Sequence, residues 1–241
     1  RVNVLSDITF SVTAGKTLGI VGPPGSGKST IARLIPRLYE VTGGRILIDG
    51  QDVRDVSLHS LRGSVGGVQQ DSFVFTASVD SNIAYGDPWS DEAGVIQAGR
   101  DAQLHDFISD LPGNYQTLVG ERGVSLSGGQ RQRVSIARGN LVNAPICILD
   151  DATAAIDADT ERRIHDAVIA RHDHRTSIVI SHRLVSVMHA DEILFLEEGK
   201  IVERGTHEEL LNQGGRYAEL HSLQMGAANS VEPALAQVQP G

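Results

Sequence analysis

The sequence predicts an α/β fold built on a parallel sheet, and three observations carry that expectation. The run Leu18-Gly19-Ile20-Val21 is short, apolar and partly β-branched, and it enters a glycine cluster followed by apolar residues at helical spacing. Two later runs, Ile146-Cys147-Ile148-Leu149 and Ser177-Ile178-Val179-Ile180, are continuous rather than alternating, as strands covered on both faces are. The composition agrees, because 26 glycines beside 4% aromatic residues imply many tight turns and a core of Val, Ile, Leu and Ala.

The elements follow in order. Behind the glycine cluster, Ile31, Leu34, Ile35 and Leu38 recur at helical spacing, which predicts a helix over 29–39. Residues 45–49 alternate around Ile46 and Ile48 and end in Asp49-Gly50, a hairpin signal that predicts an early antiparallel β portion. A mainly helical insertion is expected over 73–143. Within it, 91–111 is periodic through Val95, Ile96, Ala98, Ala102 and Leu104, and Pro112-Gly113-Asn114 ends it. Between the two continuous runs, 160–171 is amphipathic, the crossover helix that a right-handed βαβ unit requires. The runs at 193–196 and 201–202 flank Glu198-Gly199-Lys200 as a hairpin, and short helices follow around 208–211 and 216–224. Residues 1–225 thus read as one domain. Residues 226–241, with two prolines, many alanines and no periodic face, are expected to be a disordered tail.

Composition excludes several function classes. The 21 basic residues are outnumbered by 30 acidic ones, a net charge of −9, which argues against nucleic acid held on a general basic surface. The lone Cys147 makes neither an internal disulfide nor a zinc knuckle, so a reducing compartment is expected. No apolar run approaches the ~18 residues of a membrane span. The amino end, Arg1-Val2-Asn3-Val4, carries neither an initiating Met nor a signal peptide, and the expectation is a soluble piece of a longer polypeptide.

The chemistry concentrates in a few motifs. Gly22-Pro23-Pro24-Gly25-Ser26-Gly27-Lys28-Ser29, with Thr30 behind it, has the glycine, four residues, glycine, lysine and hydroxyl of a phosphate-binding loop, placed between a strand and a helix as that motif demands. Its glycines let backbone N–H groups turn inward on phosphate oxygens and the helix N-terminus adds partial positive charge; Lys28 is expected to reach the β- and γ-phosphates and Ser29 to hold magnesium. Asp150, closing the first continuous run, is the acid such a site needs for magnesium; a helix N-cap is the plainer alternative.

The stretch Leu126-Ser127-Gly128-Gly129-Gln130, opening a helix that continues through Arg131, Val134 and Ile136, resembles the signature of ATP-binding cassette (ABC) proteins. The resemblance covers residues 4–217. It implies a P-loop NTPase, RecA-like core with an antiparallel β subdomain and a helical signature subdomain, ATP and magnesium as ligands, and a second nucleotide-binding domain as partner. It implies that Gln70, in preference to its neighbour Gln69, is the glutamine that touches the magnesium site and links it to a transmembrane domain. His182 resembles the switch histidine facing the γ-phosphate, and Asp157 the loop that crosses to the opposite domain. Ser127, Gly128, Gly129 and Gln130 would grip nucleotide held by the partner. The segments 80–86, 119–123 and 205–210 resemble exporters, which implies the cytoplasmic face of a membrane, coupling through the Gln70 and Glu121 region, and no nucleic acid partner.

Two departures matter. The residue after Asp150 is normally glutamate, the base that orients the attacking water, and here it is Asp151, one methylene shorter. With the signature intact, this combination resembles one half of a heterodimeric exporter whose own site hydrolyses slowly; a homodimer using Asp151 as base, a regulatory module that binds ATP without cleaving it, and a soluble ABC ATPase acting on nucleic acid are the alternatives. The resemblance implies an adenine-stacking aromatic a few residues before the stretch Val4-Leu5-Ser6-Asp7-Ile8, and that residue is expected upstream of this chain. His172 and His174 lack further ligands for a metal, Trp89 is expected to pack in the helical insertion, and Arg131, Arg133 and Arg138 read as helix charges or contacts to nucleotide and partner.

Overall fold

The computed structural model describes residues 3–68, 72–121, 123–171 and 175–235. The first strand, β1 (Thr17–Val21), runs through the glycine loop into α1 (Lys28–Leu34), and the ribbon β2 (Leu47–Ile48) and β3 (Gln51–Asp52) follows. Next come α2 (Leu58–Ser64) and β4 (Val65–Val68), then β5 (Ala77–Ser78), α3 (Val79–Ala84), α4 (Glu92–Asp101), α5 (His105–Ser109), β6 (Leu118–Val119) and α6 (Gly128–Leu141). The chain returns through β7 (Ile146–Asp150), α7 (Ala158–Arg171) and β8 (Thr176–Ile180), and closes with β9 (Glu192–Glu197), β10 (Lys200–Gly205), α8 (His207–Gln213) and α9 (Arg216–Leu235).

Six strands form the main sheet in the order β10-β9-β1-β8-β7-β4. All neighbours pair parallel except β10 with β9. The register sets Asp150 opposite Ile180 and Ile180 opposite Ile20, so three adjacent strands end level with one another. Ligands of open α/β sheets sit outside such carboxyl ends, and that edge carries the loop after β1, the acids ending β7 and the segment after β8.

Three buried apolar clusters hold the described residues; one, around Val21, Val179, Phe195, Leu210 and Tyr217, seats the last two helices, and the other two divide the rest. Leu18, Ile20, Ile31, Ile148, Ile178, Ile180, Leu194 and Leu196 are buried together between the sheet and α1. A second cluster joins Val79, Ile83, Val95, Ala98, Leu104, Ile108, Val134 and Ile136 from α3, α4, α5 and α6. Most of the second lies within 73–143, the span expected to be a helical insertion, and Val68, Ala152, Ile156 and Ile164 join it from outside that span. The span also contains a two-stranded ribbon, β5 with β6, that the sequence did not announce.

Three elements differ from expectation for identifiable reasons. α1 stops at Leu34, because Pro36 brings no N–H to continue the ladder and Arg37 is left-handed at φ 52°. The helix expected over 91–111 is two, α4 and α5. Gln103 at φ 53° takes the αL position usually given to glycine, and the bonds Leu104 N–H to Gly99 O at 2.9 Å and Gln103 N–H to Arg100 O at 2.9 Å make a Schellman end. The stretch expected to be disordered from residue 226 is instead helical as far as Leu235, continuing α9 from Arg216; residues 236–241 lie outside the described residues. Asp49-Gly50 and Glu198-Gly199 both have two positive φ values, the type I′ geometry that closes β2–β3 and β9–β10. The antiparallel part near the start is the β2–β3 ribbon, with Ile8, Phe10 and Val12 laid on the sheet's core without forming a strand. Among the described residues no helix is long and apolar enough to cross a membrane.

Candidate nucleotide site

The loop from Gly22 to Ser29 is shaped by its backbone. Gly27 stands at φ 101°, and a Cβ there would lie 2.6 Å from Leu5 Cδ2, so only glycine fits. Gly27 also opens α1 without a capping side chain, which leaves the first N–H groups of the helix for an anion rather than for a neighbouring hydroxyl. Thr30 lies in the first turn, its N–H bonded back to Gly27 O at 3.0 Å.

Lys28 is only 7% exposed, and its Nζ donates to Gly22 O at 2.8 Å and Pro23 O at 2.9 Å. Burial lowers its pKa, against the opposing pull of the Asp151 and Asp150 carboxylates. Ser29 Oγ donates to Asp150 Oδ1 at 3.0 Å. Asp150 is itself buried, and desolvation raises its pKa despite the Ser29 hydroxyl. Beside it, Asp151 is left-handed at φ 46° and its N–H donates to Ile180 O at 2.8 Å. The Asp151 carboxylate accepts from His182 Nδ1 at 2.8 Å and from the His182 N–H at 3.2 Å through the same Oδ1. Facing a carboxylate, Nδ1 is the donor, which leaves Nε2 for any other contact.

Ser26 Oγ is buried in this loop with no hydrogen-bond partner. An orphaned hydroxyl beside a buried ammonium and an uncapped helix start matches a site made for phosphate oxygens. Ser29 Oγ and the Asp150 carboxylate, already within 3.0 Å of each other, are the hard oxygen donors that magnesium takes. Gln70 lies outside the described residues, as do Gln69, Arg122, His172 and His174.

The second predicted set lies on the helical cluster. Ser127 caps α6 by accepting from Gln130 N–H at 3.2 Å, while Gln130 Oε1 accepts from Ser127 N–H at 2.8 Å, a reciprocal capping box. Gly128 and Gly129 form the first turn, and a Cβ on Gly129 would lie 2.8 Å from Ala155 O. The Ala155 N–H donates to Gln132 Oε1 at 2.7 Å, so the start of α6 is tied to the loop carrying Asp157. Asp157 caps α7, its Oδ1 accepting from Thr160 N–H at 2.9 Å, and that bond lowers its pKa.

Sequence reasoning put Trp89 inside the insertion, but it is 94% exposed on the turn before α4. Arg133 donates to Gln103 O at 2.5 Å and Arg138 to Asn82 O at 2.8 Å, which makes both internal ties of the insertion rather than a solvated stripe. Two contributors went unnoticed in the sequence. Arg183 pairs with buried Glu161 at 2.9 Å and donates to Ile156 O at 3.1 Å. Gln224 on α9 reaches the backbone around His182. The first had a signal, a cation directly beside a site residue; the second had none, lying 42 residues away in the sequence.

Residues 5–154 match the ABC transporter family. The chain belongs to that family. YknU, an ABC transporter ATP-binding protein of Bacillus subtilis (strain 168), is 46% identical over 224 residues, which is 93% of this chain and 38% of that protein. An ATP-dependent lipid A-core flippase of Syntrophus aciditrophicus (strain SB) is 49% identical over 221 residues, 92% of this chain and 37% of the flippase. A bacterial Atm1-family ABC exporter solved with ATP bound superposes with a TM-score of 0.88 at 48% identity, covering 92% of this chain and 39% of the exporter. The chain therefore spans less than two-fifths of the length of these relatives. The fold is that of an ABC nucleotide-binding domain on a P-loop NTPase core.

Proposed function

We propose that this ABC domain binds and hydrolyses ATP to drive an exporter, working on the cytoplasmic face of a membrane beside a transmembrane domain. The observation that carries the reading is that Lys28, bonded to the loop carbonyls, and the hydrogen-bonded pairs Ser29–Asp150 and Asp151–His182 gather at the level ends of β1, β7 and β8. Lys28 and the N–H groups of the loop would hold the phosphates, and His182, with Nδ1 fixed by Asp151, would offer Nε2 to the γ-phosphate. Magnesium, held by Ser29 and Asp150 with Gln70, would neutralise charge on the phosphate oxygens. Ser127, Gly128, Gly129 and Gln130 would complete the site of a second nucleotide-binding domain arranged head to tail, and Asp157 would cross towards it. Closure on nucleotide then turns the membrane helices through the Gln70 and Glu121 region, and hydrolysis releases the clamp.

Asp151 makes the chain's own site slow. Its carboxylate falls one methylene short of the usual glutamate, and the structure has it bonded to His182 rather than free to orient water. A heterodimer is the fitting assembly, with the competent site formed where this intact signature meets the partner's loop. A non-hydrolysing regulatory module is the second reading, favoured by the same Asp151–His182 contact.

The test measures MgATP binding to the chain and to Lys28→Ala, then ATP turnover of the chain alone and mixed with an ABC domain carrying the usual glutamate. Binding lost in Lys28→Ala and turnover restored only in the mixture support the proposal. Binding indifferent to Lys28→Ala rejects the site, and full turnover from this chain alone rejects the asymmetry.

A further inference from the structure

His182 is held from several directions. Its ring meets Asp151, and the next residue, Arg183, is anchored to Ile156 O at 3.1 Å and to Glu161 at 2.9 Å. The carbonyl of His182 accepts from Gln224 Nε2 at 2.7 Å, and the same amide's Oε1 accepts from the N–H of Leu184 at 2.9 Å. One side chain from α9 thus spans the backbone of the whole switch segment. Such a brace needs a donor and an acceptor on one rigid group, which a primary amide provides and a carboxylate or an alkyl chain does not.

The helix that carries Gln224 is itself fixed at its start. The Arg216 and Tyr217 N–H groups donate to the Glu203 carboxylate at 2.5 and 3.0 Å, and the buried Tyr217 hydroxyl meets His207 Nδ1 at 2.7 Å. α9 is therefore seated on β10 and α8, and Gln224 carries that seating across to the residues beside the nucleotide site. One of its bonds takes the first N–H of the short 3-10 turn Leu184–Ser186, which has no side-chain cap of its own, and neither satisfies α9, so the needs of α9 alone do not account for them.

We propose that Gln224 is a positioning residue for His182, through which the last helix sets the backbone of the switch segment and so the ring at the γ-phosphate end of the site. This rests on the role given to His182 above. A displacement near 1 Å at a catalytic group costs on the order of a hundredfold in rate, so loss of the brace should reach turnover without touching the phosphate loop.

The experiment compares the 241-residue chain with Gln224→Leu, Gln224→Glu, His182→Ala and the double variant Gln224→Leu/His182→Ala. Amide hydrogen exchange across 181–186, single-turnover ATP hydrolysis, ATP affinity and thermal midpoint are read for each. Gln224→Leu should speed exchange at Leu184 by about tenfold or more and slow hydrolysis by about tenfold, with ATP affinity, thermal midpoint and exchange in β8 unchanged. Gln224→Glu keeps the acceptor but loses the donor, and should fall between. In the His182→Ala background the Gln224→Leu change should cost nothing further.

Unchanged exchange at Leu184, an additive loss in the double variant, or a loss of midpoint with exchange spreading through β8 each overturns the proposal. Hydrolysis untouched by His182→Ala overturns it through the reading beneath it. That failure is recognisable because exchange at Leu184 still responds to Gln224→Leu.

Discussion

Replacing Asp151 by Glu tests the chemistry at the level ends of the sheet. In the structure the Asp151 carboxylate is drawn onto His182, 2.8 Å from Nδ1 and 3.2 Å from the backbone N. One more methylene carries the carboxylate about 1.5 Å further out, the length of a C–C bond. If catalysis at this site lacks only that reach, recovery of a ~1 Å misplacement is worth on the order of a hundredfold in rate, about 2.7 kcal/mol of barrier. The change also has a cost, because the longer side chain gives up its present bonds to His182. Such a contact is worth up to about 1.5–3 kcal/mol when buried. The His182 side chain is 50% exposed, so solvent screening brings the loss to about 1 kcal/mol or less. A domain of this size would then melt about 2–4 °C lower. Single-turnover ATP hydrolysis, with affinity measured separately, should show Asp151→Glu faster by tenfold or more while slightly less stable. Unchanged hydrolysis with affinity intact refutes the reasoning and points to a pocket unfit for cleavage on other grounds.

Other outcomes follow from particular contacts. Gly27→Ala meets both a φ of 101° and Leu5 at 2.6 Å, and should lower stability by about 1–3 kcal/mol in urea titration and weaken MgATP binding. Gly129→Ala presses a Cβ to 2.8 Å from Ala155 O; it should lower the urea midpoint comparably yet leave ATP affinity of the isolated chain unchanged, since calorimetry would then read only the phosphate loop. Burial raises the Asp150 pKa, so the folded chain holds that proton more firmly than the unfolded chain does. Its contribution to stability is greatest below the unfolded value and falls as pH rises through the folded one. Asp150→Asn should flatten that part of the urea midpoint against pH, without loss of stability above it, while magnesium-dependent nucleotide binding drops. Tyr217→Phe removes the bond to His207 at 2.7 Å and should lower stability by about 1 kcal/mol, read as a shift of the thermal midpoint by about 2–4 °C.

What the sequence disclosed tracks how local the physics is. The loop 22–29, the Asp49-Gly50 turn and the continuous runs of β7 and β8 are each set by neighbouring residues, and each stands where the spacing put it. The capping box of Ser127 and Gln130 is equally local. The break between α4 and α5 was hidden because Gln103 adopts a left-handed conformation without being glycine, and only the closing bonds to Gly99 and Arg100 make it affordable. Trp89 misled because an aromatic residue is a good predictor of burial in general and a poor one on a particular turn. The Asp151–His182 bond joins residues 31 apart and Gln224 joins its segment from 42 away, distances at which no periodicity speaks.

Order of synthesis is built into the sheet. The central strand β1 has only β8 and β9 as neighbours, and the back of the phosphate loop is fastened by the Gly199 N–H donating to Ser26 O at 3.1 Å while Gly199 O receives Ser6 N–H at 2.9 Å. On a ribosome the loop emerges about 170 residues before the turn that secures it. At about 5–20 residues per second it waits on the order of ten to thirty seconds. A translational stall before the last hairpin therefore leaves the loop with its own local bonds, Lys28 to Gly22 and Pro23, and without the clasp that Gly199 adds from behind.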